Sequence, residues 1–433
     1  MGNRSPVPDP HEDFTEWAVT NGVTALNVRP HRFEGRGLGM IALEDIEAGD
    51  VVVQVPTTLI LSVDKVPLSF KAEFPEGITN HALLAAWLTY GDSEEVENEN
   101  FSFKENSLWF KTWPTRKDFE DTVPILWPVS LGGIEQPGNE SLKTNGGHSG
   151  LNIIPPSISG VWNSFQKVTL GKPDEQEHQN LMGFQARRLC KAYKDVCSAR
   201  PGTDWSTFSY YWMILNTRSF YWLGPGQTAP EDRNEALALV PFADYFNHSD
   251  VDCDVSFTDE EYTLTATKDY AKGEEVFMNY GSHSNDLLLA EYGFMMDQNR
   301  HDCIYLDDIV LRDLAADKLE ELKDSQYYGK YVVNSEGVCY RTEVVAALMY
   351  MNVEDWRNHV LEGSTQGVDE QRSAAIIRGW LSDYLGEKKG TLDAMEAAME
   401  SNPDFRANPQ KINTLLKRWA EIEAMCVMAK DNV

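Results

Sequence analysis

The sequence predicts an α+β chain: a β-rich domain split by a helical insert and followed by an all-helical C-terminal domain. Three observations carry this. Runs rich in β-branched residues occur near the start of the chain and return between 238 and 280, apolar residues at helical spacing occupy the region between, and helical stripes alone occupy the chain beyond about Asp307. With 433 residues, 42% of them hydrophobic, the chain exceeds what one core usually holds, so two or three units are expected.

Taken in order, residues 1–20 read as a flexible N-terminus and 21–300 as the β-rich domain. Gly35 to Ile60 runs as a glycine turn, a short apolar stretch, an acidic turn from Glu44 to Asp50, and the strand Val51 to Val55 ended by Pro56. The insert, about 76–207, opens with Leu83, Leu84, Trp87 and Leu88 at helical spacing, and helical signal continues in 185–196 and 208–214. Polar segments poor in apolar residues, near 92–106 and 129–150, read as mobile surface loops. Strand character returns in 238–242, 254–257, 262–266 and 276–280. Residues 301–433 then carry the stripes Leu311, Leu314, Leu319, Leu322, next Ile376, Ile377, Trp380, Leu381, Tyr384, and last Ile412, Leu415, Leu416, Trp419, Ile422.

Charge and cysteines narrow the function. Lys and Arg total 38 against 68 Asp and Glu, a net charge of −30, which repels nucleic-acid phosphate and favours a basic partner. No direct nucleic-acid binding is expected. The first ten residues lack the apolar core of a signal peptide and no stretch approaches the ~20 apolar residues of a membrane span, so the expectation is a soluble protein of the cytoplasm or nucleus. The six cysteines lack CxxC or CxC spacing, which predicts reduced thiols and no metal site.

Gly35-Arg36-Gly37-Leu38-Gly39 would let backbone amides approach a ligand, but it leads into a strand where a dinucleotide fingerprint needs a helix. By itself it reads equally as a tight turn between strands. It gains meaning from four motifs further along the chain: Asn216-Thr217-Arg218-Ser219-Phe220, then Asp244-Tyr245-Phe246-Asn247-His248-Ser249, then Asn279-Tyr280-Gly281 through Asn285, then Glu291-Tyr292-Gly293-Phe294. In this order, with the Asp45 to Gly49 turn, these motifs resemble a SET domain of the Rubisco large-subunit methyltransferase branch, over roughly 21–75 and 208–300. The resemblance implies short pseudoknotted sheets, a helical insert, and a helical substrate-binding-like domain at 301–433.

It also implies an S-adenosyl-L-methionine-dependent protein-lysine N-methyltransferase acting on a histone or non-histone protein. Residue by residue, the family has the turn at Gly37, Leu38 and Gly39 along the methyl donor, Arg218 on its carboxylate, and Asn247 with His248 on its amino and adenine ends. Tyr292 and Phe294 supply aromatic surface near the donor. Arg36 stands at a donor-binding position where the branch carries an acid. Thr217, Phe220, Asp244 and Tyr292 fall in the lysine channel. Tyr280 is the expected catalytic residue, its hydroxyl orienting the amine and accepting weak CH contacts from the methyl. These residue types suit the chemistry. A guanidinium fork matches a carboxylate, and an apolar channel favours the neutral form of a lysine whose free pKa is about 10.4.

A histidine-methylating branch shares the architecture, with polar lining after the arginine. Here Ser219 and Phe220 come after Arg218, and Ala243 precedes Asp244. Small and aromatic lining suits an aliphatic stem better than an imidazole. The rival from another class is a catalytically silent peptide-binding module. A monomer with a lysine-containing basic protein as substrate is expected.

Overall fold

In the computed structural model of the chain, the described residues are 9–34, 36–91, 101–137, 152–162, 178–224, 226–250 and 253–433. They divide into two units: the first comprises Met1–Phe119 with Arg187–Ser282, the second Glu120–Ala186 with His283–Val433.

The first unit carries eleven of the described strands, all short: β1 (Thr24–Ala25), β2 (Val28–Phe33), β3 (Gly37–Ala42), β4 (Val51–Pro56), β5 (Leu61–Ser62), β6 (Ser219–Tyr221), β7 (Leu237–Leu239), β8 (Asn247–His248), β9 (Cys253–Phe257), β10 (Glu261–Ala266) and β11 (Glu275–Met278). They form three sheets, β1-β4-β10-β9, β2-β3-β11-β8 and β5-β7-β6. Each joins early strands to late ones. Gln54 of β4 lies opposite Thr263 of β10, and Met40 of β3 opposite Val276 of β11.

The expected strand, turn, strand unit at 35–60 is present as β3 and β4, but the two enter different sheets. The acidic turn separates them. Ile46 bridges Tyr270, and Gly49, at φ 99°, donates to the Ala266 carbonyl at 2.8 Å. A turn tied to the late strands directs its two flanks to different partners.

Between the two groups of strands, the helix Asn80–Tyr90 is buried along Ala82 to Leu88. It packs on the helix Trp205–Arg218, where the His81 ring stacks on Trp212 with centroids 4.5 Å apart and donates to the Trp212 carbonyl at 2.9 Å. Burial holds His81 neutral, its pKa lowered to about 4.

The structure corrects four expectations. Residues 10–20 are not a flexible tail: Pro10–Thr20 is a helix capped by Asp9, with Pro10 in its first turn. Its Phe14 is fully buried against Trp109, Phe242 and Tyr245. The segment 101–106, expected in a mobile loop, is packed through Phe101, whose ring lies 5.1 Å from that of Trp87. Residues 92–100 lie outside the described residues. Of the second expected loop, 138–150 does too, whereas Val129–Leu131 forms a helical turn with Leu131 buried.

The fourth correction concerns the C-terminal region, which is not all-helical. In the second unit β12 (Cys303–Tyr305), β13 (Val332–Asn334) and β14 (Gly337–Val338) make a small antiparallel sheet. The 24-residue helix Pro409–Asn432 packs on this sheet, and the 32-residue helix Glu370–Ser401 packs on that helix. Buried Trp356, Trp380 and Trp419 each donate an indole N–H to an oxygen, of Val344, Asp313 and Ile153 respectively. That is how tryptophan enters a core without an orphaned donor. The contacts also place 120–186 with this unit, and end the first at Ser282 instead of 300. Among the described residues no helix is long and apolar enough to cross a membrane.

Candidate functional site

The first unit brings most of the expected site residues together. Gly37 holds φ +80°, a conformation that favours glycine, and Gly39 is required for space. A Cβ there would lie 2.4 Å from Glu275 Oε1 and 2.7 Å from Asn247 Nδ2. The close approach comes from pairing, since β8 runs parallel to β11 with Asn247 opposite Phe277 and His248 opposite Met278. Asn247 Nδ2 then donates to the Leu38 carbonyl at 3.0 Å and to Glu275 Oε1 at 2.7 Å. Arg36 Nη1 lies 2.8 Å from Glu275 Oε2, its guanidinium 5.5 Å from the Phe33 ring centroid and 5.8 Å from that of Phe277.

Arg218 ends the helix Trp205–Arg218, where a cation suits the negative end of the helix dipole. Its Nη1 donates to the Asp244 carbonyl at 2.7 Å and lies 3.4 Å from Asp244 Oδ2, while its buried Nε has no hydrogen-bond partner. Asp244 sits in the turn Ala243–Tyr245, entered through buried Phe242 at φ +71°. A bulky residue in that region stores strain, of the kind found where a turn is held for a purpose. Burial raises the Asp244 pKa, and Arg218 opposes the rise.

The turn continues into Phe246, whose carbonyl accepts the Tyr280 hydroxyl at 2.6 Å. The Tyr280 amide donates to His248 Nδ1 at 3.0 Å and the two rings stack at 5.1 Å. With Nδ1 accepting, neutral His248 carries its proton on Nε2. Thr217 turns its hydroxyl back to the Met213 carbonyl at 2.9 Å, and Phe220 on β6 packs edge-on against Tyr262.

Tyr292 and Phe294 belong to the second unit. Tyr292 ends a π-helical turn, Leu288–Tyr292, closed by Gly293 at φ +82°. A Cβ on Gly293 would meet Thr122 Oγ1 at 2.8 Å. The ring centroids of Tyr292 and Phe294 lie 6.3 Å apart, and neighbouring Glu291 accepts from Gln185 at 2.9 Å.

Sequence reasoning missed Glu275, which stands just after the Ala271 to Glu274 turn and looks like a second solvated turn acid, and Trp109, whose indole N–H lies 3.4 Å from Asp244 Oδ2. It also missed His11, whose Nδ1 is 3.0 Å from the Tyr245 hydroxyl. Spacing carries no signal for these. Among the described residues no cluster of His, Cys, Asp and Glu could hold a metal, and none of the six cysteines forms a disulfide.

Comparison with known proteins gives three results. The chain is 29% identical over 266 residues to ribosomal lysine N-methyltransferase set11 of Schizosaccharomyces pombe, a match covering 55% of this chain and 66% of that protein. It is 27% identical over 420 residues to SET domain-containing protein 4 of Mus musculus, covering 93% and 87%. The solved SET domain of LSMT, bound to methyllysine and S-adenosylhomocysteine, superposes with a TM-score of 0.57 at 17% identity over 98% of this chain and 93% of that one, a likeness of fold. The SET domain model itself matches residues 37–281, more than half of the sequence, and the chain belongs to the SET domain family.

Proposed function

We propose that this chain is an S-adenosylmethionine-dependent protein-lysine N-methyltransferase. The observation that carries the reading is the convergence, within one unit, of the Gly37 to Gly39 turn, Asn247, Arg218 with an unpartnered buried Nε, and Tyr280 anchored on the Phe246 carbonyl. These groups fit the methyl donor. Arg218 offers a buried N–H to its carboxylate, Asn247 has spent its N–H groups on protein and retains a carbonyl oxygen for its ammonium, and the glycines keep side chains away from the backbone.

S-adenosylmethionine, when bound, supplies a methyl group on a cationic sulfur. The protein's part is placement and proton control. Because the Tyr280 hydroxyl proton is committed to Phe246, its oxygen meets any further group as an acceptor, suited to an amine N–H or a polarised methyl C–H. The lysine must arrive uncharged. Removing an ammonium from water favours its neutral form, so no strong base is needed beside it.

The names of relatives support a protein substrate, and the charge of −30 supports a basic one, drawn toward the site by the field of the whole protein. Histone tails, ribosomal proteins and translation factors have that chemistry. A monomer acting in the cytoplasm or nucleus, without nucleic acid or membrane as partner, is part of the same reading.

Calorimetric titration with S-adenosylmethionine tests the proposal, comparing wild type with Arg218→Lys, which keeps the charge beside Asp244 but loses the planar fork. The expected result is binding that weakens in the variant. No binding by wild type would overturn the reading.

A further inference from the structure

Glu275 is a buried acid at the start of β11, its side chain 2% exposed. One oxygen accepts Asn247 Nδ2 at 2.7 Å, and the other lies 2.8 Å from Arg36 Nη1. Asn247 Nδ2 also donates to the Leu38 carbonyl at 3.0 Å. An amide nitrogen has two hydrogens, and here both are committed to groups that can only accept. The opposite orientation of the amide would set oxygen against oxygen on both sides. Asn247 Oδ1 is thereby directed away from Leu38 and Glu275.

We propose that Glu275 is a positioning residue of the donor site: it locks the Asn247 amide so that Oδ1 is held as an acceptor for the ammonium of the donor. This role rests on the donor-binding function proposed for the site. A carboxylate is the side chain for this task because it has no hydrogen to offer, whereas glutamine could present either end of its amide.

Arg36 completes the device. Its side chain is 58% exposed, yet the guanidinium lies against Phe33 and Phe277 and faces the second Glu275 oxygen. The exposed arginine of the glycine turn is therefore matched by the buried acid on β11. Space is closed as well, since Gly39 admits no Cβ beside Glu275 and Asn247.

The test compares S-adenosylhomocysteine with its desamino analogue, by calorimetry, on wild type, Glu275→Gln and the double variant Arg36→Ala/Glu275→Gln. Wild type is expected to prefer the amino ligand by roughly tenfold or more, the size of one hydrogen bond to a charged group. In Glu275→Gln, Arg36 draws the new carbonyl to itself and turns the NH2 toward Asn247, setting N–H against N–H there and leaving the Leu38 carbonyl alone to hold the amide, so the preference for the amino ligand falls while the desamino analogue binds as before. Removing Arg36 frees the glutamine to turn, and part of the preference returns. Should Glu275→Gln not fold, Glu275→Asp, with its shorter reach, is expected to lose the same preference. Equal weakening for both ligands, or an unchanged preference, would overturn the role of Glu275 and leave the donor site standing. Failure of wild type to bind either ligand would overturn the donor site itself.

Discussion

Replacing Arg418 with methionine tests the energetics of the second unit. The Arg418 side chain is 0% exposed. Its Nε donates to Asp286 Oδ1 at 2.7 Å, Nη1 and Nη2 to Asp302 at 2.6 and 3.1 Å, and Nη1 lies 3.3 Å from Glu421 Oε2. Asn285 adds an amide N–H to Glu421 and accepts from Met296. Methionine keeps the apolar stem and removes the cation, leaving three carboxylates around an apolar side chain. Breaking a buried pair from one side costs about 3–5 kcal/mol, the loss expected near neutral pH.

The pH dependence has a definite sign. Burial raises the pKa of Asp286 and of Glu421, and Arg418 opposes both rises. Without it they rise further, so the folded variant binds more protons than the unfolded chain and its stability falls as pH increases. The deficit relative to wild type therefore shrinks between about pH 7.5 and about pH 5. Hydrogen exchange in the helix Pro409–Asn432, variant against wild type at each pH, reads it. A loss below about 1 kcal/mol at both pH values, or a deficit that does not change, would mean that the buried ion network does not hold this unit together.

Gly39→Ala forces a Cβ against Glu275 and Asn247 and is expected to abolish S-adenosylmethionine binding; calorimetric binding as tight as wild type would count against the site. Phe14→Ala removes a fully buried ring from between Trp109, Phe242 and Tyr245, with an expected loss of about 3–5 kcal/mol in urea denaturation; a loss within about 0.5 kcal/mol would mean the N-terminal helix is peripheral. His81, with its pKa lowered to about 4, contributes stability that is complete above its unfolded pKa of about 6.5 and is lost as pH falls toward 4. Wild type is expected to be about 2 kcal/mol less stable at pH 5 than at pH 7 from this group, and His81→Asn to lose that part of the acid slope.

The motifs were legible because each needs particular side chains at fixed short spacing: Gly37, Gly39, Arg218, Asn247 and Tyr280 all stand in one unit. The strands β4 and β10 were equally legible from their β-branched runs. Their partnership was not, since Gln54 and Thr263 are brought together by the turn contacts of Ile46 and Gly49. The strands β12 to β14, two or three residues each, are too short to show a period. Phe14, Trp17 and Ala18 do lie at helical spacing, but the surrounding charges obscured it.

Arg418 shows the limit of charge as a guide. It lies three residues after Leu415 and four before Ile422, on the buried face, whereas Leu416, read as part of that stripe, is 40% exposed. The geometry was available from helical spacing. What reverses the expectation for a charged residue is the acids brought to it from 286 and 302, which no local pattern reveals.

Transfer of a labelled methyl group from S-adenosylmethionine to protein in a whole-cell extract, by wild type and by Tyr280→Phe, tests lysine methylation by this site. Label is expected on lysine side chains, falling steeply when the Tyr280 hydroxyl is removed. Donor binding without label on any protein would contradict it in favour of a silent peptide-binding module, and label on histidine would contradict the choice of lysine.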